Sequence, residues 1–259
     1  MLAGKTVLVT RAPGQAGEFS KILRERGANV VEVPTIEIVP PLSWAEADRA
    51  IDRLPGYDWL ILTSPNAANW FFRRVRERRG ELACLAGVRV CAVGPKTREI
   101  IEGAGLAVDF QPSVYRAEGL IDEAGTDAWR GARVLFPRAA EGRDVIPKEM
   151  QRVGAELDLV TVYRTIASPA GRERLRSLLD AGELDAVTFT SGSTVDNFIS
   201  LLEPPQLAAL KGRVLVACIG PVTADAARAA GLPVDALARE ATIPALADAL
   251  EERFATERD

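Results

Sequence analysis

Six short polar segments of this sequence carry the residue types that bind anions. Each separates a strand-like apolar run from an amphipathic run. The segments are residues 10–14, 63–66, 94–97, 137–140, 190–194 and 220–223. A helix that begins at such a segment presents unpaired backbone N–H groups and the positive end of its dipole, which suit carboxylates and phosphates. Ser, Thr and Asn at these places can equally serve only as helix N-caps, a structural role that needs no ligand.

Composition limits the chemistry available to these segments. The chain has no histidine, which removes Ser-His-Asp and Cys-His catalysis and leaves no imidazole for metal binding or proton transfer near neutral pH. The net charge of −4 argues against nonspecific nucleic-acid binding, which needs a basic surplus. None of the three cysteines lies in a Cys-x-x-Cys pair, so we expect small, reduced, buried thiols.

The polar segments recur because the sequence contains an internal repeat of two similar copies. YDWLILTSPNAANWFF at 57–72 matches LDAVTFTSGSTVDNFI at 184–199, and TVLVTRA at 6–12 matches RVLFPRA at 133–139. Further on, VCAVGPKTREIIEGAGLAVD from Val90 matches VACIGPVTADAARAAGLPVD from Val216. A repeat this long indicates two similar domains rather than a solenoid, which is built from shorter and more numerous units.

Strand-like and helical runs alternate within each copy. Buried parallel strands are predicted at residues 6–10, 59–63, 88–93, 133–136, 186–190 and 214–219. Strand, turn and helix in this alternation indicate an α/β fold with doubly wound parallel sheets. Ligands of such sheets bind beyond the carboxyl ends of the strands, where the six segments lie. GPKT at 94–97 lacks the spacing of a P-loop, and no Gly-x-Gly-x-x-Gly follows a strand.

The motifs VLVTRAPGQA, LTSPNAANWFF, CAVGPKTREIIEGAG, VLFPRAAEGRDVIP, VTVYRT, TFTSGSTVDNF and IGPVTADAARAAGLPV, in this order, resemble the uroporphyrinogen-III synthase family over essentially the whole chain. The resemblance implies two flavodoxin-like domains joined by a two-stranded hinge, with the active site between them. The repeat alone suggests tandem halves divided near Asp127. The family arrangement is interleaved, so we expect residues 1–35 with 167–259 in one domain, 41–160 in the other, and 36–40 and 161–166 as hinge strands.

The resemblance also implies the reaction. The substrate is hydroxymethylbilane, which loses water and closes to uroporphyrinogen III with its last pyrrole inverted, without cofactor or metal. The route passes through an azafulvene and a spiro-pyrrolenine, and the product serves heme, siroheme and cobalamin biosynthesis. Most of the catalytic task is positioning a flexible chain. The family's candidate for assisting hydroxide departure is the tyrosine of VTVYRT, Tyr163, which can alternatively only pack between domains.

The eight carboxylates of this substrate suit the polar segments. Arg11 and Arg138, at matching places in the two copies, are the first candidates because a guanidinium binds carboxylate bidentately, although each can instead pair with a neighbouring acid. Lys96 is weaker because Val222 matches it. In the other candidates the backbone N–H can matter more than the side chain. These are Ser64, Asn66, Gly94, Thr97, Ser191, Thr194, Gly220 and Thr223.

Two other functions fit parts of the pattern. A non-enzymatic two-lobed protein that closes on an anionic metabolite would use the same segments and hinge, and a nucleotide-sugar transferase would bind a nucleotide. The N-terminus enters a strand pattern directly, and no apolar run approaches the roughly 20 residues that span a bilayer, so we expect a cytoplasmic protein. The family precedent suggests a monomer, and whether the bilane-forming deaminase contacts it transiently is left open.

Overall fold

The computed structural model describes residues 2–10, 17–114, 117–142 and 144–256. The chain divides into two compact units, the first formed by Met1–Glu37 with Ile166–Asp259 and the second by Ile38–Thr165. Within the described ranges, no helix has both the length and the apolar character needed to cross a membrane.

Strands and helices alternate along most of the chain. The strands are β1 (Thr6–Val9), β2 (Asn29–Glu32), β3 (Ile36–Val39), β4 (Trp59–Leu62), β5 (Arg89–Ala92), β6 (Arg133–Ala139), β7 (Glu156–Ala167), β8 (Ala186–Phe189), β9 (Leu215–Cys218) and β10 (Ala236–Leu237). The helices are α1 (Gly17–Glu25), α2 (Ala45–Asp52), α3 (Pro65–Arg79), α4 (Pro95–Gly103), α5 (Ala117–Ala124), α6 (Val145–Val153), α7 (Pro169–Ala181), α8 (Gly192–Ile199), α9 (Pro204–Leu210), α10 (Pro221–Ala229) and α11 (Ile243–Ala255).

The sheet of the first unit is parallel, in the order β2-β1-β8-β9-β10. Every residue of β8 and β9 is buried, as expected for apolar strands covered on both faces by helices. Phe189 and Phe198 meet edge to face at 5.3 Å on one side of the sheet, in the cluster that includes Val187. Phe19 of α1 packs on the other side with Val7 and Val9.

The sheet of the second unit has the order β3-β7-β6-β4-β5. The pairs β7-β6, β6-β4 and β4-β5 are parallel, and Phe110 adds a single parallel bridge to Cys91 beyond β5. The two faces are covered by separate clusters, one containing Phe71 and Phe72 of α3 and the other containing the fully buried Trp129. The expectation of an α/β fold with parallel sheets is confirmed.

Four aspartates bind the amino ends of the strands β1, β5, β6 and β9 in the two units. Each carboxylate accepts a hydrogen bond of 2.7–2.9 Å from the backbone N–H at or next to the start of a strand. These carboxylates satisfy backbone donors near the strand ends that would otherwise need water. The donor and acceptor pairs are Thr6 with Asp185, Val90 with Asp109, Arg133 with Asp58, and Val216 with Asp235.

An ion-pair network fastens α3 to α2 through the arginine-rich run at residues 73–79. Arg74 donates two hydrogen bonds to the Asp48 carboxylate, from Nε and Nη2, both of 2.7 Å. The side chains are only 24% and 18% exposed, and the Arg74 guanidinium also lies 4.9 Å from the centre of the Trp44 ring. The run is therefore part of the packing between two helices, and Arg74 is engaged there.

We expect Asp48→Asn to lower the free energy of unfolding by about 1–2 kcal/mol near neutral pH, because it removes a charge-assisted bidentate contact. The Arg74 hydrogen bonds hold the pKa of the Asp48 carboxyl below its ordinary value, although burial opposes them. The contribution of Asp48 is thus present above the ordinary aspartate pKa and is lost as pH falls through the lowered one.

Urea unfolding at several pH values measures this effect. The difference between wild type and variant should shrink as the solution is acidified. Asp127→Asn is the matched control, since Asp127 is 92% exposed and lies 3.7 Å from Arg130, a pair expected to contribute little. A difference for Asp48→Asn that is independent of pH would contradict the assignment.

Candidate functional site

Two helices of the second unit begin at the carboxyl edge of its sheet, as the sequence predicts. Ser64 is the N-cap of α3, and its Oγ accepts a hydrogen bond of 3.1 Å from the backbone N–H of Ala67. Asn66, one residue into the helix, is exposed. Ser64 therefore fills the capping role that the sequence left open, at the carboxyl edge of the sheet.

The start of α4 is built differently. Its N-cap is Gly94, followed by Pro95, and no side chain caps the helix. The Gly94 carbonyl accepts from the N–H groups of Thr97 and Arg98, both at 3.0 Å, and the Thr97 side chain is buried. The first turn thus leaves its dipole end open to an anion, and backbone rather than the Thr97 hydroxyl defines its surface.

Arg138 lies at the end of β6, and its side chain is only 12% exposed. Its Nη1 donates to Asp144 Oδ1 at 3.1 Å. The Arg138 side chain lies against Gly142, where a Cβ added to the glycine would come within 2.8 Å of Arg138 Nε. The ion pair with a neighbouring acid, one of the two roles that the sequence allowed, is therefore present.

Tyr163 lies beside this arginine on β7. It is opposite Ala139 in the register of β6 and β7, next to a register shift at Arg138 and Ala139. The residue is 9% exposed and belongs to the core cluster that also contains Leu62 and Ala67. Its hydroxyl lies 3.4 Å from Ser64 Oγ. The structure thus brings the predicted site residues Ser64 and Tyr163 together, and Arg138 precedes Ala139, the register partner of Tyr163.

The first unit repeats the arrangement at the carboxyl edge of its own sheet. Ser191 caps α8 by accepting from the Thr194 N–H at 3.3 Å, while Thr194 Oγ1 accepts from the Ser191 N–H at 3.2 Å and donates to the Ser191 carbonyl. This capping box occupies the Thr194 hydroxyl. Gly220 is the N-cap of α10, and no side chain caps this helix. Thr223 is buried, as Thr97 is in α4.

Arg11 lies outside the described residues. The residues that sequence reasoning missed at these edges are acids and a buried threonine pair. Glu141 Oε2 accepts from the Thr165 N–H at 3.3 Å, and Asp144 pairs with Arg138. Thr10 Oγ1 donates to the Thr188 carbonyl at 2.8 Å. The acids of the EGRD stretch after β6 were the available signal, since they follow an arginine already singled out.

The described residues contain no group of three His, Cys, Asp or Glu side chains that could hold a metal ion. Two of the cysteines are core residues, as predicted. Burial raises the pKa of the Cys91 thiol to about 12 and that of Cys218 to about 11, so both stay protonated near neutral pH. Cys84 is partly buried.

The fold defines an α/β protein of two parallel-sheet units whose helices begin at the carboxyl edges with capped or open N-termini. The family model described as uroporphyrinogen-III synthase HemD matches residues 17–248. A uroporphyrinogen-III synthase of Synechococcus elongatus is 34% identical over 258 residues, covering 97% of this chain and 96% of the relative. The chain belongs to the uroporphyrinogen-III synthase family.

Other relatives agree. A uroporphyrinogen-III synthase of Chlorobaculum parvum is 31% identical over 250 residues, covering 96% of this chain and 98% of the relative. The solved structure of uroporphyrinogen-III synthetase from Helicobacter pylori has a TM-score of 0.60 at 17% identity, covering 97% and 99% of the two chains. A mutant synthase from Thermus thermophilus gives 0.59 at 18% identity with the same coverage. These two structures share the fold.

Proposed function

We propose that this protein is an enzyme that converts hydroxymethylbilane to uroporphyrinogen III with loss of water. The observation that carries the proposal is the family match over most of the chain, together with full-length relatives above 30% identity that bear this name. The role of a two-lobed binding protein is not favoured, because these full-length relatives bear the name of a synthase.

The carboxyl edges supply groups that suit a substrate with many carboxylates. The open first turns of α4 and α10 offer backbone N–H groups, and Arg138 offers a guanidinium already held in a nearly buried position. Asp144 occupies part of that guanidinium, so a substrate carboxylate binds there by displacing or joining it. We assign the other predicted ligands to the same task, Arg11 through its side chain and the rest through their backbone N–H groups. They are Arg11, Ser64, Asn66, Thr97, Ser191, Thr194 and Thr223.

Tyr163 is the group best placed in the second unit to assist the departing hydroxide. The phenol would give its proton to the leaving oxygen, which departs as water. In the spiro route the substituted carbon of the last pyrrole attacks first, and its old bond to the neighbouring methylene then breaks. The free α-carbon of the same ring bonds to that methylene and loses its proton as the ring becomes aromatic again, and this proton restores the phenol. Since no residue supplies or consumes electrons in these steps, the protein's contribution is binding, orientation and one proton.

The two-domain arrangement is also part of the proposal. Numbered within the first unit, the strand order is 2-1-3-4-5, which is the flavodoxin-like order. The chain passes from one unit to the other inside β3 and at the end of β7, and we assign these strands as the hinge. The domain boundaries near residues 35–41 and 160–167, the cytoplasmic location, the monomeric state and the contact with a deaminase stay predictions.

A coupled assay tests the function. Porphobilinogen and a bilane-forming deaminase generate fresh hydroxymethylbilane, this protein is added, and the oxidised porphyrin isomers are separated by chromatography. We expect the type III isomer to exceed the type I isomer, which forms spontaneously in a control without the protein. Type I alone, together with binding of uroporphyrin by the folded protein, would instead support a binding protein.

A further inference from the structure

The Ser64 hydroxyl has two partners, the Ala67 N–H and the Tyr163 hydroxyl, and in the contact with Tyr163 either oxygen can be the donor. Its oxygen accepts from the Ala67 N–H at 3.1 Å, which is the N-cap interaction of α3. The same oxygen lies 3.4 Å from Tyr163 Oη. Since a hydroxyl has a single proton and the cap uses one of its lone pairs, that proton is available for the phenol oxygen.

We propose that Ser64 is a positioning residue for Tyr163, donating a hydrogen bond to Tyr163 Oη so that the phenol's own proton points toward substrate. The catalytic consequence rests on the proposed function, whereas the hydrogen bond itself does not. The phenol would otherwise be free to donate its proton to Ser64, and a proton engaged there could not assist the leaving hydroxide.

The surroundings of Tyr163 favour this arrangement. The ring crosses from β7 toward the end of β4 with β6 between them, and its register partner on β6 is the small residue Ala139. Tyr163 shares a core cluster with Leu62 and Ala67, so apolar packing holds the ring. The Ser64 hydroxyl then sets the one remaining freedom of the phenol, the rotation of its O–H bond.

The first unit provides a natural control. Ser191 matches Ser64 in the repeat and caps α8 in the same way, but its hydroxyl lies 3.0 Å from Ser193 Oγ. The position that matches Tyr163 in the other copy is Ile36, which has no hydroxyl. Ser191 thus shares the capping role of Ser64 without a phenol, so a variant there reports the effect of the cap alone.

A double-mutant cycle tests the coupling. Glycine replaces a serine N-cap at little cost to the helix, so Ser64→Gly chiefly removes the hydroxyl. We expect it to lower kcat about fivefold, the size of one neutral hydrogen bond, with KM nearly unchanged. In the Tyr163→Phe background Ser64→Gly should have no further effect. The control variant Ser191→Gly should have an equal effect in the wild-type and Tyr163→Phe backgrounds. Ser64→Thr, which keeps a hydroxyl, should restore kcat. An equal loss for Ser64→Gly in both backgrounds would overturn the proposal.

A spectroscopic measurement separates this inference from the proposed function. In protein labelled at tyrosine Cζ, the carbon resonance of Tyr163 is assigned by its loss in Tyr163→Phe. It should shift in Ser64→Gly and stay in place in Ser191→Gly. If wild type makes no type III isomer but this shift occurs, the proposed function fails and the hydrogen bond stands. A resonance that is identical in wild type and Ser64→Gly refutes the hydrogen bond.

Discussion

Tyr163→Phe is expected to lower kcat about 100-fold while KM changes less than about twofold, because general-acid help typically contributes at least that factor. The ring can keep its place, since Tyr163 is 9% exposed and packs in the core cluster of the second unit. The variant therefore removes a proton donor with little change of shape. We expect the enzyme to be slowed rather than abolished, because binding and orientation by the other groups persist.

Single-turnover measurements on freshly generated hydroxymethylbilane give this rate. Tyr57→Phe is the matched control, since the Tyr57 hydroxyl donates to Asp158 in the same unit. Burial and, next, the hydrogen bond to Asp158 raise the pKa of Tyr57. The Tyr57 phenol therefore keeps its proton, and we expect Tyr57→Phe to leave kcat unaffected. A loss below about tenfold for Tyr163→Phe would leave Tyr163 only a positioning role.

Gly171→Ala is expected to destabilise the first unit by at least about 3 kcal/mol, at the upper end for overpacking a core. A Cβ at Gly171 would lie 2.1 Å from the carbonyl oxygen of Pro34. That oxygen belongs to backbone that has little freedom to move. The Ser168 N–H donates to the Thr35 carbonyl at 3.1 Å, and Ser168 Oγ donates to Glu37 at 2.8 Å.

Urea unfolding followed by two probes tests this expectation. The four tryptophans, residues 44, 59, 70 and 129, all lie in the second unit, so their fluorescence follows that unit, whereas far-ultraviolet circular dichroism follows both. In Gly171→Ala the dichroism should begin to fall at lower urea, with the fluorescence transition changed less. Gly103→Ala, a helical position with nothing near an added Cβ, should stabilise slightly, by up to about 1 kcal/mol. Equal stability of Gly171→Ala and wild type would contradict the predicted clash.

The strands could be predicted closely because their apolar runs are bounded by polar segments. The prediction at 59–63 differs from the observed β4, Trp59–Leu62, by one residue. The prediction at 133–136 stopped short of β6, which continues to Ala139, because residues 137–140 were assigned to a polar segment that follows the strand. Pro137 is tolerated within β6 because pairing with β4 covers Val134 and Leu135, and beyond them β6 continues along β7.

The capping serines could also be predicted, since the positions at strand ends are local in sequence. The contact of Ser64 with Tyr163 could not be predicted, because the two residues are 99 positions apart in the sequence and meet only through the order of the strands in the sheet. The same holds for Ser168 and Glu37, which are separated by 131 residues. Local patterns identify which residues are polar and where elements begin, whereas partner choice depends on the topology of the sheet.

The aspartates at the amino ends of the strands occur at matching places in both copies, Asp58 with Asp185 and Asp109 with Asp235. At the carboxyl edges Ser64 matches Ser191 and Thr97 matches Thr223, whereas other positions differ between the copies, with Tyr163 against Ile36 and Lys96 against Val222. The two copies thus share the aspartates at the amino ends of their strands and the helix caps at the carboxyl ends, and they differ at a few positions of the carboxyl rim. Such a protein can change its ligand or reaction by substitution at those few positions, while the aspartates still bind the amino ends of the strands.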